Sequence, residues 1–179
     1  METRKRSILS ILAMIIVLAV SAGCLFGCGS GYEKVVEKYF EAIKKGDAKK
    51  YISLYPEEVV DAWIEYECDG DKEELTDYIK DLLDELDNGD IDISKLKYKI
   101  IDAEELDKDE LEELTDDLDE FDIDVKEAIN LEIEITVPVD GEKEELTFEM
   151  LLGKIDGSWY VLYDLDDMPD EMINKFNKL

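Results

Sequence analysis

Apolar residues in this chain recur with two different periods. From Tyr32 to Lys45, the residues Tyr32, Val35, Val36, Tyr39, Phe40 and Ile43 repeat at the three- and four-residue spacing of one helix face. Gly46 is placed to stop that helix, and Asp47 to cap a short second one through Leu54. Pro56 suits the first turn of a third helix, Glu57 to Tyr66, with Val59, Val60, Trp63 and Ile64 inward. After a turn at Cys68-Asp69-Gly70, Asp71 and Glu74 make a capping-box-like start. The helix they open is predicted to run to about Asp87, with Leu75, Tyr78, Ile79, Leu82, Leu83 and Leu86 on one side and Asn88-Gly89 at its end.

The period then shortens. Leu96, Tyr98 and Ile100 alternate with Lys97 and Lys99, which predicts a half-buried strand over Leu96 to Ala103. Asp107 to Phe121 returns to helix spacing through Leu111, Leu114, Leu118 and Phe121, but its other faces are almost wholly acidic. Carboxylates four apart repel, so this helix is expected to be the least stable. From Ala128 the alternation is at its clearest, with Ile129, Leu131, Ile133, Ile135, Val137 and Val139 on one face. Asp140-Gly141 turns the chain, Leu146, Phe148, Met150 and Leu152 alternate on the return, and Asp156-Gly157 turns it again into a strand over Trp159 to Leu165. Asp167-Met168-Pro169 opens a short C-terminal helix carrying Met172, Ile173 and Phe176. Helices first, then a strand, a helix and a three-strand meander, is an α+β order.

The first residues follow neither period. Arg4, Lys5 and Arg6 precede a stretch from Ile8 to Val20 that is apolar except for Ser10. Two small-residue sites ending in cysteine follow, Ser21-Ala22-Gly23-Cys24 and Leu25-Phe26-Gly27-Cys28. A basic start, a short apolar run and a small-residue site form a secretory signal. With a cysteine just after the site, the segment resembles the lipobox of bacterial lipoproteins, in which that cysteine is acylated and becomes the first mature residue. The expected organisation is a signal peptide over 1–27, a lipidated cysteine and tether over 28–31, and one α+β domain over 32–179. Cys28 is the preferred lipidation site because Leu25 stands three before it and Gly29-Ser30-Gly31 follows as a flexible tether. Cys24 is the alternative. An uncleaved membrane helix over Ile8 to Phe26 is a second alternative, weakened by Ser21, Gly23 and Cys24. Either way the basic end stays in the cytoplasm and the domain lies outside.

Charge narrows the partners. The chain holds 20 basic and 49 acidic residues. Removing Arg4, Lys5, Arg6 and Glu2 leaves 17 lysines and 48 acids, a net charge of −31. That argues against nucleic acid, whose binding rests on neutralising phosphates, and against adsorption of the whole domain to anionic lipid. The basic residues cluster early. Lys34, Lys38, Lys44, Lys45, Lys49 and Lys50 stand among Glu37, Glu41 and Asp47, next to the expected anchor.

The chain contains no histidine, so the usual general base, metal ligand and pH switch are missing together. If Cys28 is acylated, Cys68 is the sole mature thiol; if Cys24 is, a Cys28–Cys68 bridge has only parity behind it. No catalytic, cofactor or metal set is assigned. Asp84, Asp87, Asn88, Asp90 and Asp92 surround Gly89, but an EF-hand there would need ligands at Leu86 and Lys95. Asp164, Asp166, Asp167, Asp170 and Glu171 lack the loop glycine. Both read as solvated acidic faces.

The opening Tyr32–Lys50 segment and the closing Lys154-Ile155-Asp156-Gly157-Ser158-Trp159-Tyr160 turn and strand resemble the nuclear-transport-factor-two-like fold, also called cystatin-like. The resemblance implies helices packed on a curved antiparallel sheet that forms a cone. Many Gram-positive lipoproteins look like this. Enzymes of that fold often pair Asp with His or Tyr in the cone, and Tyr39, Tyr98, Tyr160 and Tyr163 stand on elements that would face it. Trp63, Trp159, Tyr160 and Tyr163 would either line an apolar pocket or fill the cone. The expectation is a non-enzymatic lipoprotein on the outer face of the cytoplasmic membrane, held by its lipid anchor. It would present an acidic surface to a basic protein partner or to cationic solutes. A carrier of small apolar ligands is the alternative, and an Asp–Tyr isomerase or hydrolase a further one.

Overall fold

The computed structural model describes residues 31–86, 92–139 and 142–162. The expected signal segment, Cys24, Cys28, the expected Asp140-Gly141 turn, Tyr163 and the expected C-terminal helix lie outside the described residues. Helix α1, Gly31–Lys44, buries Val35, Val36, Tyr39, Phe40, Ala42 and Ile43, the stripe that the spacing predicts. Gly46 ends it at φ +60°, a conformation that costs glycine little and a β-carbon much. There the amide of Asp47 donates to Ala42 O at 2.8 Å and that of Gly46 to Ile43 O at 3.1 Å, satisfying two end carbonyls as a Schellman turn does. The Asp47 carboxylate then accepts from the Lys50 amide at 3.0 Å and caps helix α2, Ala48–Ile52.

Helix α3, Glu57–Glu67, follows Pro56 and buries Val59, Val60, Trp63 and Ile64. Helix α4, Lys72–Leu86, is capped by Asp71, which accepts from the Glu73 and Glu74 amides. The reciprocal half of the expected box is replaced, because the Asp71 amide donates to Cys68 O at 2.7 Å. The α4 stripe is narrower than predicted. Leu75, Ile79 and Leu83 are buried, Leu82 is half-buried, and Tyr78 is 55 % exposed. A helix lying at the edge of the layer buries a row four residues apart and leaves the flanking row wet.

Strands β1 (Lys97–Glu105), β2 (Glu127–Val139), β3 (Glu142–Ile155) and β4 (Ser158–Leu162) form one antiparallel sheet in the order β1-β2-β3-β4. One face is the core. Ile129, Leu131, Ile133, Ile135 and Val137 are all buried there, joined by Leu152 and Met150 from β3 and Val161 from β4. Burying one such side chain stabilises the fold by about 1.5–3 kcal/mol, so this row anchors the domain. The Leu54 carbonyl accepts from the Val161 amide at 2.8 Å and ties the helical layer to β4.

Strand β1 is longer than the alternation predicts and carries a bulge. Ile100 pairs with Ile133 and Asp102 with Glu132, so Ile101 is an extra residue with no partner on β2. It is 37 % exposed. Beyond it Ala103 and Glu105 stand opposite Leu131 and Ile129, yet both are exposed. Among the described residues, the helical layer therefore leaves this end of the sheet edge uncovered.

Helix α5, Lys108–Asp117, has no buried residue. It holds a complete capping box that the sequence reading does not contain: Asp107 accepts from the Asp109 and Glu110 amides, and Glu110 accepts from the Asp107 amide at 2.8 Å. Its predicted extension to Phe121 is instead a 3-10 turn, Asp119–Phe121, ended by Asp122 at φ +58°. Leu118, Ile123 and Val125 carry the burial in this region.

Candidate functional site

Aromatic rings run unbroken from β1 across α1 to α2 and α3. Tyr98 on β1 stacks 4.5 Å from Phe40, Phe40 lies 5.2 Å from Tyr39, and Tyr39 lies 5.2 Å from Tyr51 on α2. Tyr51 is 5.4 Å from Tyr55, and Tyr55 is 4.8 Å from Trp63 on α3. Offset and edge contacts of this kind add about 0.5–1.5 kcal/mol each beyond burial. The Tyr55 hydroxyl donates to the Tyr51 hydroxyl at 2.9 Å. Burial pushes the Tyr51 phenol up, while hydrogen bonds with Tyr55 and Tyr39 partly offset it. The interior thus holds neutral phenols bonded to one another, and among the described residues no carboxylate is buried with them.

This cluster differs from the tyrosine set that the sequence suggested. Tyr39 and Tyr98 belong to it, but Tyr160, half-buried, pairs with Gly153 on the face opposite Val161 and is not part of this run. Tyr163 lies outside the described residues. Tyr51 and Tyr55 were missed. Their four-residue spacing was visible, but the break at the end of α2 hid that both rings point inward. The aromatics proposed to share a pocket are also divided. Trp63 packs on Tyr55, whereas Trp159 sits edge-on to Tyr32 at 5.8 Å with Lys154 Nζ 5.8 Å above its ring. Lys154 also bridges to Glu127 at 2.6 Å.

The surface separates by charge. At the end of α1 the Glu41 carboxylate receives both Lys45 and Lys50, and these hydrogen bonds hold its pKa down at about 2. Lys45 is pushed up by the same contact. Burial, and then the nearby Lys97 ammonium, push Lys44 down. Lysines of α1, α2 and the start of β1 therefore share one end of the domain. The outer face of the sheet carries Lys97, Lys99 and Lys143 but is acidic on balance. Asp102, Glu132 and Glu149 stand in one cross-strand row, with Glu134 and Glu145 beside them.

Of the acidic loops, Asp84 pairs with Lys80 at 2.8 Å, and Asp92 pairs with Lys95 at 2.5 Å and accepts from Ser94. Those contacts, with Lys95 first, hold Asp92 below the usual carboxylate range. Asp87, Asn88, Asp90 and residues 164–171 lie outside the described residues, as do both candidate lipidation sites, Cys28 and Cys24. Among the described residues no group of three or more Cys, Asp or Glu is placed to hold a metal ion, and no helix is long and apolar enough to cross a membrane. No protein-family model and no curated protein matches the chain.

Proposed function

We propose that this chain is a lipid-anchored extracytoplasmic protein whose α+β domain, of the nuclear-transport-factor-two-like type, serves as a non-enzymatic binding module. The helices packed on one face of an antiparallel four-stranded sheet support the fold reading. Acylation at Cys28, or at Cys24, would place the domain on the outer face of the cytoplasmic membrane. The observation that carries the binding role is the outer face of the sheet. Glu132, Glu145 and Glu149 are exposed there on two central strands, where each strand holds its neighbour's carboxylates in fixed register. Like charges held opposite one another cost stability, and a cationic protein surface or cationic solutes would relieve that cost.

The test is in-cell cross-linking of the full chain beside a variant carrying Glu132→Gln, Glu145→Gln and Glu149→Gln. A basic protein captured by the native chain and lost in the variant supports the reading. The same captured proteins in both, or none in either, overturns it.

A further inference from the structure

The charge order along the open edge of β1 is complementary to itself. We propose that β1 pairs with β1 of a second copy, antiparallel about a two-fold between Ile100 and Ile101, joining two four-stranded sheets into one.

The bulge makes this arrangement work. Lys99 and Asp102 are three residues apart, so in a regular strand they would point to opposite faces. With Ile101 as the extra residue, Lys99 stands opposite Glu134 and Asp102 opposite Glu132. Glu132 and Glu134 are two apart on β2, so both β1 side chains share the outer face. Lys97 opposite Thr136 and Glu104 opposite Asn130 join them there.

A two-fold between Ile100 and Ile101 then sets Lys99 against Asp102 of the other copy and Lys97 against Glu104, each contact occurring twice. It sets Tyr98 against Ala103 on the core face, an aromatic ring beside a small side chain, and brings Ile100 to the exposed Ile101. Sliding the register by one residue opposes side chains from different faces. Sliding it by two leaves one kind of ion pair in place of two.

The row behind each contact strengthens the fit. Glu149, Glu132 and Asp102 stand in line across three strands of one copy, with no lysine in the row among the described residues. In the proposed pair that row ends on a lysine of the other copy. Along β1, Lys97, Lys99, Ile101, Asp102, Ala103, Glu104 and Glu105 are exposed among the described residues; the Ala103 amide donates to the neighbouring Asp102 carboxylate at 2.9 Å, a bond within one copy that pairing would exchange for one to the second strand. A strand edge with unpaired backbone groups is itself a template for another strand, and opposite charges in register specify which one.

The experiment uses the full chain in mild detergent at moderate salt, followed by analytical ultracentrifugation over a wide concentration range. The native chain is expected to form a dimer. Lys99→Glu and Asp102→Lys should each weaken it at least about tenfold, since each places like charges in contact twice. The double variant Lys99→Glu with Asp102→Lys should restore it. Within one subunit that swap moves the lysine from the position opposite Glu134 to the one opposite Glu132 and removes the Asp102 carboxylate from the Ala103 amide, so circular dichroism checks that each variant keeps the fold. In parallel, carbodiimide coupling of mixed isotope-labelled and unlabelled chains should yield a heavy–light peptide joining Lys99 to Asp102. A native chain that stays monomeric, single variants that dimerise as well as the native chain, or a double variant that fails to recover would each overturn the proposal.

Discussion

Replacing Gly153 by alanine should destabilise the domain by about 1–2 kcal/mol. Gly153 sits on β3 between Ala128 and Tyr160, on the outer face but under a local apolar cover. A β-carbon there would lie 2.4 Å from Leu162 Cδ1, 3.1 Å from Leu162 Cγ and 3.2 Å from Val125 Cγ1. Both neighbours are buried, so neither side chain swings freely out of the way. Forcing a methyl into such a site costs about 1–3 kcal/mol. The loss of chain freedom in the unfolded state returns about 0.4–1 kcal/mol, which leaves the stated net. For a domain of this size the melting temperature should fall by roughly 3–8 °C. Leu162→Ala alone removes buried side-chain volume and should cost about 2–5 kcal/mol. In the double variant the new methyl occupies space that Leu162 has left, so the combined loss should be smaller than the sum by about 0.5–3 kcal/mol. Urea denaturation of all four proteins closes the cycle. A Gly153→Ala variant as stable as the parent, or a double variant that is additive, would refute the contact.

Three further outcomes are expected. Cys28→Ser should abolish acyl labelling and leave an uncut or unacylated chain; unchanged labelling assigns the lipid to Cys24. Melting temperature should rise from low to moderate NaCl at neutral pH, because 49 acids against 20 basic residues repel one another and salt screens them; a flat response would show that register and pairing already balance the charge. Glu41 should titrate near 2 by NMR, and Lys50→Ala should move it toward the ordinary carboxylate value of 4.5. Since the folded value is depressed, this pair's stabilisation is present above the unfolded value and lost as pH falls from about 4.5 through 2.

Local chemistry determined much of this protein in advance. Helix α1, its stop at Gly46 and the cap at Asp47 were legible because each depends on residues within a few positions of one another. The alternation in β2 was legible because a strand with one core face must repeat every two residues. The proposed signal segment and its cysteines rest on sequence alone, since they lie outside the described residues. Other features were decided by tertiary packing. Tyr78 fits the α4 stripe by spacing but is exposed, because the width of a buried stripe depends on what packs against it. Tyr51 and Tyr55 meet because α2 ends where α1 and α3 enclose them. The bulge at Ile101 has no marker in the sequence, where Ile100 and Ile101 are merely adjacent apolar residues. Pairing with β2 selects which of them is extra, and that choice carries Asp102 and Glu104 to the same face as Lys97 and Lys99. A strand's alternation is a local property. Its phase after a bulge depends on a partner strand about thirty residues away, so only the folded sheet shows the charge order at its edge.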